Sequence, residues 1–149
     1  MIITRRPLND VSETAREMQR LTCCYWKDLG RWLDVPFFNY FNYICALPYV
    51  EDPPEVETVS RPLYTLRENY RPRDCDDKSV LLACWFKGHG LPVRFVGVST
   101  QESRELNHVF IQDGTGMDYD ATYPEYHGIC GIYPYYSAIT YRENLTELF

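Results

Sequence analysis

The apolar positions mark out most of the elements. Val11, Ala15, Met18, Leu21, Tyr25 and Leu29 recur at steps of three or four, the spacing of an amphipathic helix. Arg16, Glu17, Gln19 and Arg20 fall on its wet side, Asn9, Asp10 and Ser12 offer N-caps, Glu13 suits the first turn, and Gly30 is a plausible stop. A second helix opens at Pro36, with Phe37, Tyr40, Phe41, Ile44 and Cys45 on one face, and ends before Pro48. Tyr49 and Val50 read as extended, and Glu51 to Glu55 as an exposed turn. Pro62 interrupts any long helix between Val56 and Leu66, so a short helix is expected on each side of it. Arg67 to Arg73 is a polar loop leading to Cys75.

From Val80 to Phe86 the pattern changes, because every position is apolar. A helix that is apolar all round is buried all round, which makes this the predicted central helix. Asp74 or Cys75 is its N-cap, and Asp74 with Asp77 resembles a capping box. Lys87 suits its last turn, and Gly88 or Gly90 its exit. Strands are expected over Leu91–Val98, Leu106–Ile111 and Met117–Thr122, with Asp113-Gly114-Thr115-Gly116 as the turn of a hairpin. In the tail, Ser137–Arg142 reads as a strand and Glu143–Leu148 as a helical turn. The pattern describes one α+β domain spanning residues 1–149: N-terminal helices, then a central buried helix packed on an antiparallel sheet.

The hairpin permits a parity test. An odd turn gathers Val109, Ile111, Met117 and Tyr119 on one apolar face, whereas an even turn scatters them. The odd register pairs Ile111 with Met117 and makes His108 and Asp120 direct cross-strand neighbours, with Asp118 on the same face.

Charge removes some functions. The net charge of −6 and the lack of a basic stripe argue against nucleic acid and anionic membranes as partners. Met1 to Pro7 does not read as a signal peptide, and no apolar run is long enough to span a bilayer. A cytoplasmic or virion-associated protein is expected. The six cysteines have no disulfide-framework or metal-ligand spacing. They are read as mostly reduced and buried thiols, and no metal or cofactor is expected.

Chemistry gathers at Cys75. A thiol at a helix start meets free N–H groups and the positive end of the helix dipole. Asp74, Asp76 and Asp77 oppose its ionisation. An imidazole partner is therefore required, and the hairpin offers His108, with Asp120 to orient it and Asp118 as the alternative third member. The Cys75 backbone N–H is a candidate oxyanion donor, with a second donor expected from residues 66–73. Taken one at a time, each of these residues has an ordinary structural role: a buried thiol, a strand histidine, capping acids. His89 and His127 lack strand partners and are read as surface residues.

These residues resemble the transglutaminase-like superfamily. Its motifs stand here as Asp74-Cys75-Asp76-Asp77, Gly90-Leu91-Pro92-Val93-Arg94-Phe95-Val96, His108-Val109-Phe110-Ile111 and Asp120-Ala121-Thr122. The match covers roughly residues 56–124, and its short form, with Asp74-Cys75-Asp76-Asp77 following Pro62-Leu63-Tyr64-Thr65-Leu66, is similar to small phage-encoded members. Ala121 stands where the family pattern has proline, and Met117 near the place of a tryptophan. The resemblance implies a papain-like α+β fold with Cys75 as nucleophile, His108 as base and Asp120 as orienter. It implies acyl transfer from an amide through a thioester on a peptide or protein substrate, with hydrolysis favoured over cross-linking. The alternative is a non-catalytic assembly or binding module that keeps the fold.

Overall fold

The run Val80–Phe86, all but half-buried Trp85, is inside the protein, as its composition dictates. In the computed structural model, which describes residues 3–6, 11–52, 57–67, 73–122 and 139–149, it belongs to α4 (Cys75–Gly88), ten of whose fourteen residues are buried. Leu81, Ala83 and Cys84 are wholly inaccessible. Around α4 pack α1 (Val11–Tyr25), a 3-10 segment (Trp26–Asp34), α2 (Phe37–Ala46) and α3 (Pro62–Arg67), together with strands of an antiparallel sheet. That sheet has the order β5-β4-β3-β6, from β3 (Val93–Ser99), β4 (His108–Asp113), β5 (Asp118–Tyr119) and β6 (Tyr141–Asn144). A separate ribbon pairs β1 (Ile3–Arg6) with β2 (Glu57–Ser60). The chain is thus α+β. Among the described residues no helix is long and apolar enough to cross a membrane.

Met18 and Leu21 of α1 and Tyr40, Phe41 and Ile44 of α2 join α4 and the sheet residues Val93, Phe95, Val109, Ile111 and Tyr119 in one core. Burying each such side chain contributes roughly 1.5–3 kcal/mol. The buried Tyr40 hydroxyl donates to the Leu81 carbonyl at 2.7 Å, so the one polar atom of that ring is satisfied.

Three expectations are corrected. The first helix ends at Tyr25, and the apolar spacing continues to Leu29 through 3-10 geometry. Gly30, at φ 54° and ψ −122°, breaks it in a conformation that a side chain resists. The short helix expected before Pro62 is instead β2, whose backbone is claimed by β1, while α3 forms after Pro62 as expected. The helical turn expected over Glu143–Leu148 is absent. Glu143 and Asn144 lie in β6, Leu145 N–H donates to the Phe95 carbonyl, and Phe149 exchanges two backbone hydrogen bonds with Val93. Pairing with β3 satisfies groups that a single helical turn would leave open. Ser137, His127 and Cys130 lie outside the described residues.

Candidate active site

Cys75 is the first residue of α4, and the chain is delivered to it by a buried arginine. Arg73, 1% exposed, donates from Nε and Nη2 to the Thr65 carbonyl at 3.0 and 2.6 Å. Its backbone exchanges hydrogen bonds with Val50 at 2.9 and 2.7 Å. Asp74 then caps the helix in extended geometry. Its Oδ1 accepts the N–H groups of Asp76 and Asp77 at 3.1 and 3.5 Å, and Asp77 Oδ2 accepts the Asp74 N–H at 3.2 Å. This is the capping box expected from the sequence. Asp77 Oδ1 also accepts the Ser60 N–H at 3.1 Å, tying the helix start to β2. Burial pushes the Asp77 carboxyl up to about 7, against the pull of those two N–H donors.

The hairpin keeps the predicted parity but not the predicted register. Ile111 faces Tyr119, and Gln112 faces Asp118, and Asp113 N–H donates to the Met117 carbonyl at 2.9 Å, so the loop has three residues as expected but is Gly114-Thr115-Gly116, shifted by one from Asp113-Gly114-Thr115. Asp113 causes this. Its Oδ1 accepts the Thr115 and Met117 N–H groups at 2.9 and 3.0 Å and the Thr115 hydroxyl at 2.6 Å, and Gly116 takes φ 91°. Met117, assigned to the apolar face, is exposed instead, while Tyr119 takes the place opposite Ile111. A shift of two residues preserves the face of every side chain. His108 and Asp120 are therefore diagonal neighbours rather than direct ones.

Their side chains meet all the same. His108 Nε2 and Asp120 Oδ2 are 2.5 Å apart, in residues only 8% and 6% exposed. Asp120 Oδ1 accepts the Thr122 N–H at 2.9 Å. With Nε2–H donated to the carboxylate, Nδ1 is the basic nitrogen of the neutral ring. Asp118, the alternative third member, is committed elsewhere. Arg142 Nη1 and Nη2 bind its two oxygens at 2.7 and 2.6 Å, and Gln112 Nε2 donates to it at 3.2 Å.

Cys75 and His108 line one cleft of about 490 Å³. The backbone of Val109, the residue after His108, favours the Cys75 thiolate. Burial, then the charges of Asp76 and Asp74, push the thiol well above its ordinary range, and the Val109 contact only partly offsets them. Asp76 Oδ1 is 3.9 Å from the sulfur. The acids at the helix start thus oppose the thiolate, as their sequence positions imply.

Two residues of α4 that sequence reasoning passed over hold the parts together. Lys78, 2% exposed, donates from Nζ to the carbonyls of Cys45 and Ala121, both at 3.3 Å. It thereby links the nucleophile helix to α2 and to the residue after Asp120. Burial lowers its pKa. Ser79 Oγ donates to the Val109 carbonyl at 3.3 Å, pinning the start of β4. The available signal was two polar residues at the head of an otherwise apolar helix. The second oxyanion donor was expected from residues 66–73, of which 68–72 lie outside the described residues. Among the described residues no three His, Cys, Asp or Glu side chains come together as a metal site. Comparison of the chain with models of known protein families, with curated proteins and with solved structures finds no match.

Proposed function

We propose that the protein is a cysteine-dependent acyl-transfer enzyme of transglutaminase-like, papain-like fold, with Cys75 as nucleophile, His108 as base and Asp120 as orienter. The observation that carries this reading is the buried 2.5 Å His108–Asp120 pair opening onto the cleft that holds Cys75 at a helix start. As the sulfur attacks an amide carbonyl, His108 Nδ1 takes the thiol proton and the carbonyl π electrons move onto oxygen. Asp120 stabilises the imidazolium so formed. The Cys75 N–H, at the first helical position and without an intrahelical acceptor, faces the developing oxyanion. The C–N bond then breaks, Nδ1–H protonates the leaving amine, and a thioester remains. Water, deprotonated by His108, attacks the thioester and releases acid and thiol. Hydrolysis rather than cross-linking is the favoured outcome, by analogy with the resembled family alone.

The second reading is a binding module that keeps this fold without turnover. The raised thiol pKa favours it, because an isolated Cys75 stays protonated at neutral pH. Trapping of the acyl-enzyme separates the two. Wild type and Cys75→Ala are incubated with a peptide or peptidoglycan digest, quenched in acid and mapped by mass spectrometry. The enzyme reading expects a hydroxylamine-labile adduct on Cys75, absent from the variant. The same adduct pattern in both proteins, or none in either, sinks it.

A further inference from the structure

Cys75, Lys78 and Ser79 stand three and four residues apart in α4, the spacing of one helix face. The two polar side chains reach corresponding places on the hairpin. Ser79 Oγ donates to the carbonyl of Val109, the residue after His108, at 3.3 Å. Lys78 Nζ donates to the carbonyl of Ala121, the residue after Asp120, also at 3.3 Å. A single turn of helix thus carries the thiol and grips the backbone beside both members of the His108–Asp120 pair.

The charge on Lys78 is a second, independent observation. Its side chain is inside the protein, at 2% exposure, where a lysine is seldom found without an opposite charge. Two carbonyls could be satisfied by a neutral donor. Burial lowers the Lys78 pKa; Cys45 and Asp120 draw it up, and the like charge of Arg73 draws it down. Burial pushes the Cys45 thiol up to about 12, so it is uncharged near neutral pH. Among the described residues that leaves the Asp120 carboxylate, 6% exposed, as the opposite charge acting on the ammonium. Asp120 Oδ1 accepts the Thr122 N–H and Oδ2 meets His108 Nε2, and neither contact brings a fixed positive charge.

We infer that Lys78 and Ser79 are positioning residues for acyl transfer. From the helix that carries Cys75 they hold the two chain segments that carry His108 and Asp120, and Lys78 also supplies the buried counter-charge for the Asp120 carboxylate. The inference rests on the thiol acyl-transfer reading, and its test keeps the two apart.

Iodoacetamide alkylation of each cysteine of the full chain is followed by peptide mapping from pH 5 to 9, in wild type, Lys78→Met, Ser79→Ala and Ser79→Thr. Exposed Cys23 and Cys24 set the reference rate, and Cys84, wholly inaccessible, reports any loosening of the fold in the same sample. A small displacement of a reacting group can cost about a hundredfold in rate. Near pH 6 Lys78→Met should slow Cys75 by about tenfold or more relative to Cys23 and Cys24, and Ser79→Ala by about threefold, with Cys84 still protected. In both variants the Cys75 rate should then rise only in alkali. Ser79→Thr, which keeps the hydroxyl, should regain the wild-type profile. A Cys75 profile that either variant leaves unchanged, with Cys84 protected, removes that residue from the role. A loss at Cys75 that comes only with exposure of Cys84 in both variants overturns the inference, because the residues then support the fold and nothing more. If Lys78→Met alone exposes Cys84, Ser79→Ala decides. A wild-type Cys75 with no lead over the other thiols near pH 6 overturns the acyl-transfer reading instead.

Discussion

His108 opens β4, paired with Val98 of β3, and Asp120 directly follows β5, their side chains locked to each other at 2.5 Å. Cys75 stands across the cleft at the first turn of a helix whose nearest charges are carboxylates. The sheet side is organised before any substrate arrives. On the helix side Asp76, followed by the capping Asp74, sets negative charge beside the sulfur. A helix N-terminus, then, does not by itself activate a thiol. The residues that stabilise the terminus can cancel its dipole, and the proton must then go to a base held elsewhere.

The largest effect expected from breaking the sheet side is on chemistry. Asp120→Asn keeps the shape but favours the wrong imidazole tautomer, so acyl-enzyme formation should fall by about a thousandfold or more in single-turnover assays. A drop under about tenfold would remove Asp120 from its role.

Next comes the link between the two sides. Lys78→Met keeps the length of the side chain but leaves the Cys45 and Ala121 carbonyls without their buried donor. It should cost about 2–4 kcal/mol in denaturant unfolding. A stability within experimental error of wild type would show that α2 and the segment after Asp120 are held in some other way.

The helix side makes a prediction in pH. The Asp77 carboxyl is raised to about 7 from an unfolded value of 3.8. Between these values the native state holds a proton that the unfolded chain has lost, so stability should fall as pH rises from about 4 to 7. Each unit of the gap is worth at most about 1.4 kcal/mol. Asp77→Asn should flatten that slope, as measured by urea midpoints across the window. An unchanged slope would place its origin elsewhere.

The smallest effect is expected at Asp118. Asp118→Asn weakens a partly exposed pair with Arg142 and should cost about 1 kcal/mol or less, with Cys75 reactivity within about twofold of wild type. A loss as large as that of Asp120→Asn would exchange the two acids.

Much of this was legible in the sequence because it depends on local chemistry or on parity. The all-apolar run of α4 could only be interior, and the Asp74–Asp77 spacing could only cap a helix start. Face alternation put His108 and Asp120 on one side of the hairpin whatever the length of an odd loop. Register itself was not legible, since the Asp113 side chain builds a loop whose hydrogen bonds no periodicity reports. The exchange of the expected helix before Pro62 for β2 depends on pairing with a segment far away in sequence. Lys78 drew no reading from the sequence, because only the packing of α2 and the end of the hairpin around it gives the amine its two carbonyls.

The proposed chemistry turns on the Cys75 proton passing to His108. That transfer is read in the rate of iodoacetamide alkylation at each cysteine from pH 5 to 9, in wild type and His108→Ala. Cys75 should outpace exposed Cys23 and Cys24 and buried Cys84 near pH 6, and lose that lead when the imidazole is removed, its reactivity then rising only in strong alkali. A Cys75 profile identical in the two proteins would mean that the proton goes elsewhere.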